Sequence, residues 1–235
     1  MSARLERLDY VNDGAPILPA HPFRGIVCGS SGSGKTHWVM SQWVLNPKTP
    51  FDRVIWCAPR LSLEQEKLRN AVAVLGGALV PIEGIDREAI QALIDQYYAA
   101  KEQTLVVLDD LIGSAKDPYI SDLFTAGRHR NVSTIQILQQ IFAPGTRCHR
   151  LNTDWYYVGH FGDQREMTML ANMLASSKAD AAKIVAGYKQ AMQTGGQYAY
   201  FLIDGQSRGR GSERRRALAF RSNRMDNVLP DLADV

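Results

Sequence analysis

Gly29-Ser30-Ser31-Gly32-Ser33-Gly34-Lys35-Thr36 follows the spacing GxxxxGK[ST], and its flanks decide how it is read. Ahead of it, Arg24-Gly25-Ile26-Val27-Cys28 is a short apolar run of strand character. Behind it, Thr36 to Leu45 carries apolar residues spaced for one helical face and stops before Pro47. Strand, glycine-rich loop and helix in that order make a phosphate-binding P-loop. An anionic polyphosphate must lie against a ring of backbone N–H groups, and Gly32 and Gly34 leave out the Cβ atoms that would hold it off. The motif directs Lys35 to the β- and γ-phosphates, the Thr36 hydroxyl to Mg²⁺, and the positive end of the helix to the phosphates. Gly29, Ser30, Ser31, Gly32, Ser33, Gly34, Lys35 and Thr36 are therefore the predicted binding set for a nucleoside triphosphate with Mg²⁺.

The chain has 235 residues, 45% of them hydrophobic, which suits one α/β domain with a sizeable core. No apolar run approaches bilayer-spanning length, and Met1 to Leu18 has scattered charges and no continuous apolar stretch. A soluble, intracellular protein with no transmembrane segment is expected. Cys28, Cys57 and Cys148 lie far apart without metal-ligand spacing, so free, mostly buried thiols are expected. The net charge of +3 hides an uneven distribution. Arginines 208, 210, 214, 215, 216, 221 and 224 face one acid, Glu213, so that segment carries +6 and the remainder −3. Such a cluster favours a polyanion or an acidic protein face, the alternative being a solvated tail with no dedicated partner. Arg208, Arg210, Arg214, Arg215 and Arg216 are the predicted nucleic-acid contacts.

Outward from the P-loop, three segments are expected: an extended arm over residues 1–23 with Pro16, Pro19 and Pro22, a domain over 24–204, and the Arg-rich segment 205–235. Within the domain, Arg53 to Pro59 reads as a second strand, Ser62 with Gln65 as a capping box for a helix through about Val72, and Asp86 as the cap of a helix to about Ala100. Thr104-Leu105-Val106-Val107-Leu108-Asp109-Asp110 is a third strand. Its unbroken apolar run means that both faces are covered, as in a parallel sheet, and its two terminal carboxylates sit where open α/β sheets place their chemistry. Asp109 would hold Mg²⁺ and Asp110 would orient or activate a water, a Walker B pair.

Asp117-Pro118 opens a helix ending near Gly127. Arg128-His129-Arg130-Asn131 then leads into a fourth strand, Val132 to Leu138, with Gln139-Gln140 at its end. Asp154 to Gly159 and Gln197 to Asp204 are further strands, with helices at Gln164–Leu174 and Ala179–Gln193 between them. Strands alternating with helices imply an α/β fold, a mainly parallel, doubly wound sheet with helices on both faces.

Several motifs are missing from the sequence. There is no Asn-Lys-x-Asp, as in GTPases, and no Leu-Ser-Gly-Gly-Gln, as in transporter ATPases. Read in order, HPFRGIVCGSSGSGKT, LVVLDDL, LFTAGRHRNVSTIQILQQ and RLNTDWYYV resemble the genome-packaging ATPases of double-stranded DNA viruses. These form the poxvirus-type branch of the FtsK and HerA superfamily, which also serves membrane-containing icosahedral viruses. The resemblance covers about residues 21 to 204, and the run Gly127-Arg128-His129-Arg130-Asn131 into a strand ending in Gln-Gln is its most specific part. It implies a P-loop NTPase of RecA/ASCE-like type that hydrolyses ATP with Mg²⁺ to drive a double-stranded genome into a preformed capsid. Lys35 and Thr36 match the family's nucleotide-binding pair, Asp109 its magnesium acid and Gln139 its sensor. The superfamily prefers Asp-Glu in Walker B, so Asp110 departs from it with a shorter carboxylate.

Ring ATPases of this kind complete each site with an arginine from the next subunit. Arg128 and Arg130 lead for that role by position, with Arg147 and Arg150 behind them. The implied partners are double-stranded DNA, copies of the chain in a ring of roughly five or six subunits, and capsid or portal-vertex proteins. The implied locations are the host cytoplasm and the packaging vertex of the virion. Two other functions share the same residues: a cellular or plasmid-borne DNA pump or helicase-loader ATPase, and a DNA-binding vertex protein that uses ATP as an assembly ligand.

Overall fold

In the computed structural model, residues 21–44, 51–60, 78–175, 177–204 and 217–220 are described. The capping box at Ser62 and nearly all of the N-terminal arm lie outside them. Eight strands form one sheet: β1 (Arg24–Cys28), β2 (Arg53–Ala58), β3 (Ala78–Glu83), β4 (Thr104–Asp109), β5 (Val132–Leu138), β6 (Trp155–Val158), β7 (Tyr200–Asp204) and β8 (Ala217–Phe220). Their spatial order is β3-β2-β4-β5-β1-β6-β7-β8. The first six run parallel, while β7 pairs antiparallel with β6 and with β8. The sheet is thus mainly parallel, as the alternation of elements implied, with an antiparallel extension at one edge.

Two strands were not expected. β3, Ala78–Glu83, has Pro81 inside it, and it is the outermost strand of the described sheet, pairing with β2, where a residue without an N–H is tolerated. β8 lies within the Arg-rich segment, so the sheet continues past residue 204.

Alternate residues of the strands point to opposite faces, and each face has its own core. On one, Ile26, Ile55, Val106, Leu108, Tyr156 and Phe201 meet the helices Arg87–Ala99, Pro118–Ala126, Gln164–Leu174 and Lys178–Gly195. The apolar stripe of Arg87–Ala99 packs there as its periodicity required, with Ile90, Ile94 and Tyr97 buried. On the other face, Val27, Val54, Trp56, Val107, Ile137 and Tyr157 meet Val39 and Trp43. These two belong to the helical stretch after the P-loop, expected from Thr36 to Leu45. The α-helix α1 spans Lys35–Val39, and Met40–Val44 continues it as a π-helical turn. Asp86 and Asp117 cap their helices through Ala89 N–H and Tyr119 N–H. Cys28 and Cys57 are buried free thiols, and Cys148 is a half-buried one. Among the described residues, no helix is long and apolar enough to cross a membrane.

Candidate active site

Strand order brings the two phosphate-handling motifs together. β5 lies between β1 and β4, with Cys28 beside Leu138 and Asp109 beside Ile137. At its end, the Leu138 carbonyl accepts from Gly29 N–H at 3.2 Å and the Ile137 carbonyl from Asp110 N–H at 3.3 Å. One strand end therefore sets the spacing between the start of the P-loop and the acidic pair.

The loop is anchored on its other side by the segment after β6. The His160 carbonyl accepts from the Ser30 N–H at 2.6 Å and from the Ser30 hydroxyl at 2.9 Å. A Cβ on Gly29 would stand 2.9 Å from Ser33 Oγ and 3.1 Å from the His160 carbonyl oxygen, so this turn closes only around glycine. Gly34, at φ 81°, hands the loop to α1 from the left-handed region.

Inside this frame, Lys35 Nζ donates to the carbonyls of Gly29 at 2.9 Å and Ser30 at 2.8 Å. Burial lowers its pKa, and the nearby Asp110 and Asp109 work against that shift. The Thr36 hydroxyl donates towards both Asp109 oxygens, at 3.3 and 3.2 Å. Burial pushes the Asp109 carboxyl up to about 6, Asp110 adds to the shift, and Thr36 and Lys35 oppose it. This is a carboxylate poorly compensated by the protein alone, facing a hydroxyl oxygen. An oxygen-only pair of that kind suits a hard divalent cation, so the residues fit Mg²⁺.

Asp110 leaves the strand in the left-handed region at φ 52°, which Asp adopts more readily than most non-glycine residues, and its exposed carboxylate accepts from Gln139 Nε2 at 2.9 Å. Gln139 thus meets Asp110 directly. Beyond it, Glu166 accepts from the N–H groups of Ile141 at 2.9 Å and Phe142 at 3.3 Å. The Ile141 carbonyl in turn accepts from Thr146 Oγ1 at 2.8 Å and Arg150 Nη1 at 3.0 Å. Two residues past Gln139, the backbone is therefore held from both sides. Arg150 also packs its guanidinium over the Phe142 ring at 4.3 Å, and burial lowers its pKa. These contacts occupy it within its own subunit.

Arg128 and Arg130 stand elsewhere. They form the 3-10 turn Gly127–Arg130 ahead of β5, at the opposite end of a seven-residue strand. That puts them roughly 20 Å from this chain's own P-loop. Arg128 is exposed, and Arg130 pairs with Asp95 at 2.8 Å, both side chains being about half exposed. Arg208, Arg210, Arg214, Arg215 and Arg216 lie outside the described residues. Sequence reasoning missed Glu166 and His160. Neither sits in a motif, and each acts on backbone that only the sheet order brings near.

The architecture is similar to that of solved viral proteins. The genome packaging NTPase B204 from Sulfolobus turreted icosahedral virus 2, in complex with AMP, matches with a TM-score of 0.59 at 16% identity, over 84% of this chain and 96% of that one. Its complex with ATP-gammaS matches at 0.54 and 15% identity, over 84% and 96%. B204 from Sulfolobus Turreted Icosahedral Virus, described as a DNA-packaging ATPase, matches at 0.55 and 16% identity, over 80% and 96%. At these identities the likeness is one of fold, and the fold is that of a P-loop NTPase. No family model matches the sequence, and no curated protein matches it either.

Proposed function

We propose that this protein is an ATP-hydrolysing motor of the viral genome-packaging class, moving double-stranded DNA into a preformed capsid. The observation that carries the reading is the convergence of Lys35, Thr36, Asp109, Asp110 and Gln139 at the shared ends of β1, β4 and β5. The likeness in fold to a packaging NTPase over 84% of the chain supports the motor class.

In this reading the backbone N–H groups of Gly29 to Thr36 hold the triphosphate, and Lys35 turns from the loop carbonyls to the β- and γ-phosphates. Thr36 and Asp109 would hold Mg²⁺, which when bound neutralises charge on the phosphate oxygens. Asp110 orients the attacking water and accepts its proton, while the Gln139 amide fixes that carboxylate. Arg128, with Arg130 beside it, completes the site of the neighbouring subunit in a ring. Arg208, Arg210, Arg214, Arg215 and Arg216 contact DNA phosphates without reading sequence, as a motor passing over every sequence requires. The ring works at the packaging vertex, docked on capsid or portal proteins assembled in the host cytoplasm.

Turnover of ATP with and without double-stranded DNA, on wild type and Lys35→Ala, tests the proposal. Wild type should hydrolyse ATP and accelerate when DNA is added, and Lys35→Ala should do neither. An ATPase rate indifferent to DNA would instead favour ATP as an assembly ligand.

A further inference from the structure

The turn that anchors the P-loop is itself gripped by a side chain. Residues 159–161 follow β6, and the His160 carbonyl in their middle is the group that takes both the N–H and the hydroxyl of Ser30. Tyr188, from the helix Lys178–Gly195, reaches this turn on either side of His160. Its hydroxyl donates to the Gly159 carbonyl at 3.2 Å and accepts from the Phe161 N–H at 2.9 Å. The His160 ring is tied down as well, its Nε2 donating to the Gly196 carbonyl just past the same helix at 2.9 Å. On the strand side, the Gly159 N–H donates to the Cys28 carbonyl at 2.8 Å.

Packing alone does not ask for the Tyr188 hydroxyl. The residue is 6% exposed, and its ring lies against Phe161 and Phe201 at 6.1 and 6.3 Å between centroids, a place that phenylalanine would fill equally well. A buried hydroxyl costs free energy unless it is bonded, and this one uses both its donor and its acceptor capacity on one three-residue turn. We infer that Tyr188 is a positioning residue for the P-loop: its hydroxyl fixes the His160 carbonyl, and that carbonyl fixes Ser30 at the start of the phosphate-binding loop. The inference rests on the nucleotide reading given under Proposed function. The fit is close enough to pass a shift on, since the His160 oxygen and the Gly159 carbonyl carbon lie 3.1 and 3.3 Å from where a Cβ on Gly29 would stand. Ser30 has a second hold in the Lys35 ammonium, which donates to its carbonyl at 2.8 Å. When Lys35 turns to the phosphates that hold is released, and the tie to His160 carries more of the loop's position. Loss of the Tyr188 hydroxyl therefore acts on nucleotide affinity.

Two measurements on the full chain test this. Amide hydrogen exchange of Ser30, followed by NMR, reads the turn itself, and titration with a non-hydrolysable ATP analogue and Mg²⁺ reads its consequence. Tyr188→Phe keeps the ring and should speed Ser30 exchange and weaken the analogue, each about five- to tenfold, the factor that one lost hydrogen bond is worth. Ile184→Val thins the same core from the same helix with no polar group to offer the turn. It should lower the urea midpoint and leave both readings at their wild-type values. Analogue affinity unchanged in Tyr188→Phe, whatever the exchange, overturns the assignment, and so does an equal loss of affinity in Ile184→Val. If wild type binds no analogue, the nucleotide reading falls and the effect on affinity with it, while the exchange comparison still decides whether Tyr188 positions the loop.

Discussion

The two ends of β5 divide the labour of the molecule. At the C-terminal end, Ile137 and Leu138 hold the acidic pair and the P-loop through their carbonyls, Gln139 meets Asp110, and Glu166 fixes the loop that follows. Lys35, Thr36, Asp110, Gln139 and Glu166 each have a partner there from the same chain. At the N-terminal end, Arg128 is exposed and Arg130 makes a solvent-exposed ion pair to Asp95. Such a pair contributes about 1 kcal/mol or less, so it would not hold Arg130 back from the role in a ring proposed above. One end is tied together by its own side chains, whereas the other presents an exposed Arg128 and an Arg130 in a weak surface pair.

That contrast fails if Arg128 serves no neighbour. Arg128→Ala should reduce turnover by about a thousandfold, the scale on which a cation at the transferred phosphate acts, and should leave ATP affinity intact. Mixing Arg128→Ala with Lys35→Ala, each inactive alone, should restore part of the activity, because adjacent mutant subunits then form one site with both residues present. Steady-state ATPase assays of the mixture decide the matter. A mixture no faster than its components would place the arginine's effect within a subunit, or nowhere.

The C-terminal end carries an electrostatic penalty that a smaller effect exposes. Asp109 has its pKa raised to about 6, so in the folded protein its proton is held more tightly than in the unfolded chain. The sign follows from linkage: stability declines as pH rises from about 4 to about 6, and above that the full penalty is present. Asp109→Asn should therefore lower turnover by a hundredfold or so, through loss of the metal ligand. The same change should raise the stability of the nucleotide-free protein at pH 7 by no more than about 3 kcal/mol. The gain should vanish near pH 4. Urea midpoints of the two proteins across pH 4 to 7, without Mg²⁺ or nucleotide, read the difference. An Asp109→Asn protein less stable than wild type at pH 7 would mean that Asp109 is compensated in the folded state after all.

Much of the C-terminal end was legible in the sequence, because each of its parts announces itself locally. The P-loop spacing, the apolar run closed by Asp109-Asp110, and the strand Val132–Leu138 with Gln139 after it all rest on a few adjacent residues. What local patterns do not carry is which backbone a side chain reaches. Glu166 reads as an ordinary acid in the first turn of a helix, and its partners lie 24 and 25 residues away. β3 has Pro81 inside it, and only the sheet order shows that it is an edge strand, where a proline is tolerated. Arginines dominate the segment around Ala217–Phe220 and masked a four-residue strand that pairs at the far edge of the sheet. The opposite placement of Arg128 and Asp110 likewise needed the length and direction of β5.

Glu166 offers the finest test of the C-terminal end, since it touches neither nucleotide nor metal and acts through the loop after Gln139. Removing its carboxylate leaves two backbone N–H groups without their acceptor, and the loop that carries Gln139 loses one of its two holds. Glu166→Ala should lower kcat about tenfold with KM for ATP near wild type, since a lost charged hydrogen bond is worth about 1.5–3 kcal/mol and part of that loss is relaxed locally. Glu166→Gln keeps an acceptor oxygen and should recover most of the rate. The decisive comparison is made in a Gln139→Ala background. If Glu166 matters only because it positions Gln139, adding Glu166→Ala there should change the rate little, giving a strongly non-additive cycle. Full additivity would detach the Glu166 clamp from the Asp110 contact and leave the loop after β5 as scaffold alone.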